Sequence, residues 1–494
     1  MTLALLVVVP AAGGLAAWVL GGVRPSIPRW VSLLANLAML ALAALLWARA
    51  GSLADLAAGG WIAEARWAWI RTLGISFALG ADGFSLSLVT LSAFLGAMAV
   101  LSSWNARPVR PGFFHFALML AIAGVIGVFL AVDLVLFVFF WELMIVPMFF
   151  LIDLWGGERR HPAAVKFFLF TQAGGLMMLL SVLGLAFAHA RSTGTLTFDS
   201  RALAGTPLGP AAGMLLLLGF LAAFAVKLPV FPLHAWLPDA YAEAPLAGNI
   251  VLAGLMSKTA AYGLIRFALP LFPDAARIAA PAATALALAG ILYGGLMAFG
   301  QTDVKRLAAY SSISHLGFIL LGIFAFNATA LAGASFLMIA HGVSTAAVFM
   351  LAGWLEEKLG TRETTAMGGL WRSAPRMGTF AVVFAMAMLG LPGLGVFVGE
   401  FMVVLGTWQA RAAAAVLASL GAVVATVYAL AFVQRVFHGS PAAGMTCTDL
   451  SARQTAILAL MAAILVSLGL FPQPVLGALA GAWQGLLAAV GALG

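Results

Sequence analysis

Runs of about twenty apolar residues recur along the whole chain, and no other feature narrows its possible folds so far. Roughly 30 Å of hydrocarbon takes about 20 helical residues to cross. About fourteen runs are long enough, near residues 3–22, 29–49, 77–102, 112–132, 134–155, 164–189, 211–236, 245–268, 277–299, 305–326, 330–356, 376–404, 411–437 and 454–492. Pro472 and Pro474 interrupt the last, which reads as a helix plus a tail. A closed barrel would instead show alternating segments of about 10 residues, and none stands out. The expected fold is therefore an all-α polytopic membrane protein with about 14 transmembrane helices. Composition agrees: 9% of the 494 residues are charged, where a soluble domain carries roughly 25%. The first run has no basic residue before it, so it is expected as a retained span, not a signal peptide.

Basic residues fall unevenly between alternate loops. Arg107, Arg110, Arg159, Arg160, Lys305 and Arg306 belong to the richer side, which outnumbers the other by about two to one and by the positive-inside rule faces the cytoplasm. Both termini are then expected on the non-cytoplasmic side of a bacterial inner membrane. The formal charge of +8 resides mostly in these loops and does not imply nucleic acid. Cys447 is the only cysteine, so neither an internal disulfide nor a cluster held by several cysteines of this chain can form. In "GLPGLGVFVGE" Val398 stands where a dinucleotide-binding turn needs its third glycine, and no strand precedes it. No cofactor is expected in this chain.

Charge inside lipid is costly: a lysine at a span centre costs about 2.5–3.5 kcal/mol on insertion scales. The candidates are Glu142, Lys227, Lys258, His315, His341 and Glu400. Counted from the span ends at about 1.5 Å per residue, the first five lie near mid-membrane, so they define a row parallel to the membrane plane. A single membrane histidine is most often a hydrogen-bonded packing residue, and an acid near a span end can snorkel to the interface. Two mid-span lysines do not yield to that explanation, since intramembrane ionisable groups face wet or polar interiors and mark proton or ion paths. Pro229 and Pro232 follow Lys227 at once, and Gly390, Pro392, Gly393 and Gly395 precede Glu400, so both runs are expected to be broken helices.

Glu142 and Lys227 are separated by the same 85 positions as His315 and Glu400. Five spans over 112–268 precede five over 277–437, and an odd number inverts the second set. The pattern predicts two inverted five-helix repeats with discontinuous helices. Three helices in 1–111 precede them and a C-terminal helix in 438–494 follows.

Four stretches carry a resemblance: "LFVFFWELMIVPMFFLIDLWGG" around Glu142, "KFFLFTQAGGLMMLLS" from Lys166, "VKLPVFPLHAWLPDAYAEAPLAGNIVLAGLMSKTAAYGLIRF" from Val226 and "DVKRLAAYSSISHLGFILLG" from Asp303. Through them the chain resembles the antiporter-like membrane subunits of respiratory complex I, the NADH:quinone oxidoreductase, and their relatives in multi-subunit sodium/proton antiporters. The resemblance implies a proton-translocating subunit of a translocase, driven by quinone reduction elsewhere. Alternatives are a subunit of a sodium/proton antiporter, or the membrane arm of a hydrogenase or formate-oxidising complex. It also implies that Glu142 pairs with Lys227, that Lys258 and His315 form a central relay, that His341 lines a second half-channel, and that Glu400 ends the row beside the next subunit. NADH, flavin, iron–sulfur clusters and quinone would belong to other subunits, and sister antiporter-like subunits would flank this one on both sides. The chain departs from the family at Tyr241, where histidine is usual, and at Leu246, where a small hydroxyl residue is usual.

Overall fold

A computed structural model describes residues 1–52, 56, 60–440 and 447–489. The expected C-terminal segment therefore lies partly outside the described residues. Among the described residues, thirteen helices are long and apolar enough to cross a membrane. In chain order the main helices are α1 (Thr2–Gly21), α2 (Ile27–Trp47), α3 (Gly83–Ser102), α4 (Pro111–Leu130), α5 (Leu134–Trp155), α6 (Arg160–Thr193), α7 (Pro210–Lys227), α8 (Leu237–Glu243), α9 (Leu246–Leu271), α10 (Pro273–Phe299), α11 (Val304–Phe324), α12 (Ala328–Leu359), α13 (Pro375–Met388), α14 (Gly395–Phe437), α15 (Ala452–Leu470) and α16 (Gln473–Ala489).

Side-chain caps set several helix starts. Asp133, Asp303 and Asn327 each accept two backbone N–H bonds at the beginnings of α5, α11 and α12, meeting donors that helix geometry leaves orphaned. Asp82 and Ser85 form a capping box at α3. The span expected at 77–102 therefore begins only at Gly83. Ahead of it, β1 (Ala63–Ile70) and β2 (Ile75–Ala81) pair as an antiparallel hairpin, an element added to the helical fold. Its first strand reads "AEARWAWI", and on the second Ser76 N donates to Asp133 Oδ2 at 3.0 Å, tying the hairpin to the start of α5.

Both proline- or glycine-rich runs are broken. α7 ends at Lys227, and Leu228–Trp236 is non-helical before α8. α13 stops at Met388, and Gly390 (φ 73°) and Gly393 (φ 94°) turn the chain through the left-handed region before α14 resumes at Gly395. There glycine avoids the steric cost that a Cβ would bring. The end of the span expected at 376–404 and the span expected at 411–437 run together as α14, where Arg411 alone is non-helical (φ −153°). α9 contains two π-helical turns, Leu252–Met256 and Leu264–Ala268.

α9, α11 and α12 are almost wholly buried, whereas α1, α2, α7 and α15 each expose most of their surface. The outer helices present Leu, Val and Phe, which suits lipid; the inner three are shielded from it and can carry polar groups. Lys258, His315 and His341 sit on these three.

At one end of the bundle, ion pairs bind the break after α7 to the second half of the chain. Arg362 contacts Glu243 at 2.6 Å and Asp303 at 2.6 Å, while Lys305 meets Glu356 at 2.5 Å. Asp239 bridges Lys166 (2.7 Å) and Arg306 (2.8 Å). Burial alone would raise the Asp239 pKa, but these two cations outweigh it and hold it below the usual value. Glu243 and Asp303 are only 4% and 5% exposed, so Arg362→Ala would leave two buried acids short of a cation. The expected loss is about 3–5 kcal/mol, read as a lower midpoint of thermal inactivation. An unchanged midpoint would mean that water replaces the guanidinium at no cost.

Candidate functional site

Four of the six candidate residues form one connected row. Lys258 occupies the α-helical turn after the first π turn of α9. Its Nζ donates to the Ala253 carbonyl (2.6 Å) and to Ser257 Oγ (3.1 Å), and lies 3.0 Å from His341 Nδ1. With Lys258 charged, that nitrogen accepts, and His341 Nε2–H then donates to Thr345 Oγ1 at 2.9 Å. The His341 and His315 ring centroids are 5.4 Å apart. His315 Nδ1 is 2.6 Å from Glu400 Oε1, and its Nε2 is 3.3 Å from the Tyr428 hydroxyl. The four side chains of the row, and those of Ser257, Thr345 and Tyr428, are all buried.

The expected relay of Lys258 and His315 gains a member: His341, expected to line a second half-channel, stands between them. Glu400 lies in the second turn of α14, buried against His315 of its own chain, with its carboxylate beside Gly390 in the helix break, where a Cβ would come within 3.0 Å of Oε2. The α11 and α14 positions 85 residues apart do meet.

Glu142 and Lys227, expected to pair, are near enough for their charges to interact, but no direct ion pair joins them among the described residues. Lys227, 2% exposed at the last turn of α7, has no hydrogen-bond partner for Nζ among the described residues. Its ammonium lies 4.6 Å from the centroid of the Trp141 ring, a cation–π contact. Glu142 is half-buried on the next position of α5, at the wall of an apolar lateral groove with Phe113, Phe139 and Phe150. Its carboxylate packs on Gly175, where a Cβ would fall 2.0 Å from Oε1, so only glycine admits it. Gln172, nearly one turn earlier on α6, is a further polar neighbour.

Sequence reasoning passed over several members of the site. Thr345 is four positions after His341 on one helix, a spacing that places side chains together, so it could have been found. Tyr428 gave a weaker signal as a lone phenol in an apolar run. The π turn that presents the Ala253 carbonyl has no residue signature. At the two family departures, Tyr241 donates its hydroxyl to the Leu252 carbonyl at 3.3 Å, and Leu246 packs against Gly353.

The family described as NADH:quinone oxidoreductase/Mrp antiporter, TM, matches residues 131–426. NADH-quinone oxidoreductase subunit M of Pseudomonas aeruginosa is 47% identical over 501 aligned residues, covering 100% of this chain and 98% of the relative. Subunit M of Escherichia coli K12 is 46% identical, with 96% of each chain covered. Among solved structures, a chain of respiratory complex I from Thermus thermophilus with bound NADH superposes with a TM-score of 0.89 at 32% identity over 100% of both chains. A chain of the Mrp complex from Dietzia sp. DQ12-45-1b gives 0.80 at 22% identity, with 98% of each covered, a likeness of fold alone.

Proposed function

Because the chain belongs to the NADH:quinone oxidoreductase/Mrp antiporter membrane family, we propose that it is a proton-translocating membrane subunit of a multi-subunit NADH:quinone oxidoreductase, in the place that subunit M holds in its relatives. The observation that carries this reading is the buried Lys258–His341–His315–Glu400 row, whose titratable groups are separated by hydrogen-bond or ring-contact distances. Lys258 passes a proton to His341 Nδ1, and the imidazole, now protonated on both nitrogens, can release the other. A rotation of the ring or a bridging water completes the step to His315, which exchanges with Glu400 across 2.6 Å. Glu142 and Lys227 supply the row from the α5–α7 side, with Trp141 holding the ammonium where no hydrogen bond does.

The two broken helices, α7 before Lys227's loop and α13/α14 before Glu400, support a layout of two inverted five-helix units. Redox chemistry and its cofactors belong to partner subunits on this reading, with sister antiporter-like subunits as neighbours and both termini outside the cytoplasm. A sodium/proton antiporter subunit would employ the same row. Identity near one half with the subunit M relatives, against 22% with the Mrp chain, favours the quinone-linked complex. Genes for NADH-oxidising subunits beside this one would support the first reading, and genes for small antiporter subunits the second.

Glu400→Gln tests the row itself. Glutamine matches the size of glutamate and keeps a hydrogen bond to His315 but takes up no proton. Proton uptake coupled to quinone reduction, normalised to assembled complex, is expected to fall to a small fraction of wild type. Wild-type uptake in that variant would make the carboxylate a strut for the broken helix and would sink the proposed exit.

A further inference from the structure

The loops joining α1 to α2 and α3 to α4 enclose a cavity of about 540 Å³ at the basic end of the bundle. Its polar lining comes from Ser26, Arg29, Ser103, Asn105, Arg107 and His115, with no carboxylate among the described residues. The adjoining cavity, which shares Ser103, Asn105 and Arg107 with this one, is where the acids Glu243, Glu356 and Glu357 stand. Two donors on this wall are buried yet unused. Arg29 gives Nη1 to the Trp104 carbonyl at 3.0 Å and lays its guanidinium 4.8 Å from the Trp104 ring, but its Nε has no partner. His115, 9% exposed on the second turn of α4, has no partner for Nδ1. Arg107 is exposed and makes no ion pair among the described residues.

Buried polar atoms are rarely left unpaired, and a wall of cations and neutral donors is complementary to an anion. We propose that this cavity binds the phosphate of an anionic phospholipid headgroup. Its position at the ends of four spanning helices puts it at headgroup level, where basic pockets between helices take acidic lipids. Trp18 and Trp30 are exposed around it, at 48% and 53%, as interfacial tryptophans are. A second groove adjoins it through Pro111 and is lined by Trp18, Gly21, Gly112 and Phe113, with Arg110 at its rim. That groove gives an acyl chain an apolar path along α1 and α4. Arg29 and His115 hold the phosphate from below, and Arg107 closes over it from the loop.

The test uses the purified complex in phosphatidylcholine nanodiscs carrying a small fraction of photoactivatable phosphatidylglycerol, with labelled peptides mapped by mass spectrometry. Labelling is expected at residues 18–30 and 103–116, about fivefold weaker for each arginine removed, from roughly 1 kcal/mol per basic residue near the headgroups. Arg29→Gln and Arg107→Gln are the two variants. Arg107 is exposed and makes no ion pair among the described residues, so its replacement is expected to leave assembly unchanged even if Arg29→Gln assembles poorly. Equal labelling by a photoactivatable phosphatidylcholine would reduce the site to apolar packing. Loss of labelling on adding inorganic phosphate would make it a free-phosphate site. Labelling indifferent to both substitutions would overturn the proposal outright.

Discussion

Complex carrying Lys258→Arg is expected to translocate protons at least about tenfold more slowly than wild type, while Lys258→His keeps a substantial share of the activity. The difference lies in what each cation can release. A guanidinium keeps its proton in proteins, whereas imidazole titrates. Lys258 Nζ lies 3.0 Å from His341 Nδ1; a permanent charge at that separation opposes protonation of His341 by roughly 5 kcal/mol at an effective dielectric of about 20. A tenfold change in rate needs only about 1.4 kcal/mol, so the block survives considerable relaxation of the site. The measurement is acidification or uptake per quinone reduced in liposomes containing each variant. Equal rates in the arginine and histidine variants would leave Lys258 as a structural cation that never gives up its proton.

Lys227→Ala should remove most translocation as well, and with little structural damage, because Nζ has no hydrogen-bond partner to be orphaned. Its main contact is the face of Trp141, whose contribution to holding the ammonium is about 2 kcal/mol when desolvated. Trp141→Leu is therefore expected to weaken translocation by about tenfold while leaving the titratable group in place. Translocation by Lys227→Ala at the wild-type rate, in complex assembled to the wild-type level, would place proton entry on another path.

Much of this site could be read before any coordinates existed, because lipid makes charge conspicuous. Lys227 and Lys258 could not be explained as packing, and Pro229, Pro232, Gly390 and Gly393 announced the breaks beside Lys227 and Glu400. Depth along a helix put the groups on one level. Depth says nothing of rotation about the helix axis, which decides who touches whom, and so the placing of His341 between Lys258 and His315 is not legible in the sequence. Rotation also decides how Glu142 and Lys227 meet: Trp141, one residue earlier, stacks on the ammonium, while the Glu142 carboxylate stays near enough for the two charges to interact without a direct ion pair. The hairpin is hard to read from sequence because Ala68 and Ile70 follow Glu64 and Arg66 on the same face of β1, which blurs the alternation, and β2 runs straight into the next span.

The π turn in α9 has a consequence for how the chain is made. Lys258 leaves the ribosome 83 residues ahead of His341, an interval on the order of ten seconds at bacterial elongation rates. During that wait the lysine must enter the bilayer without its eventual partner. The π turn offers it one already: the Ala253 carbonyl, five positions back, and the adjacent Ser257 hydroxyl both come from the same nascent helix. The newborn span thus carries its own counterpart for the ammonium through insertion, and hands the third hydrogen bond to α12 only when that helix arrives.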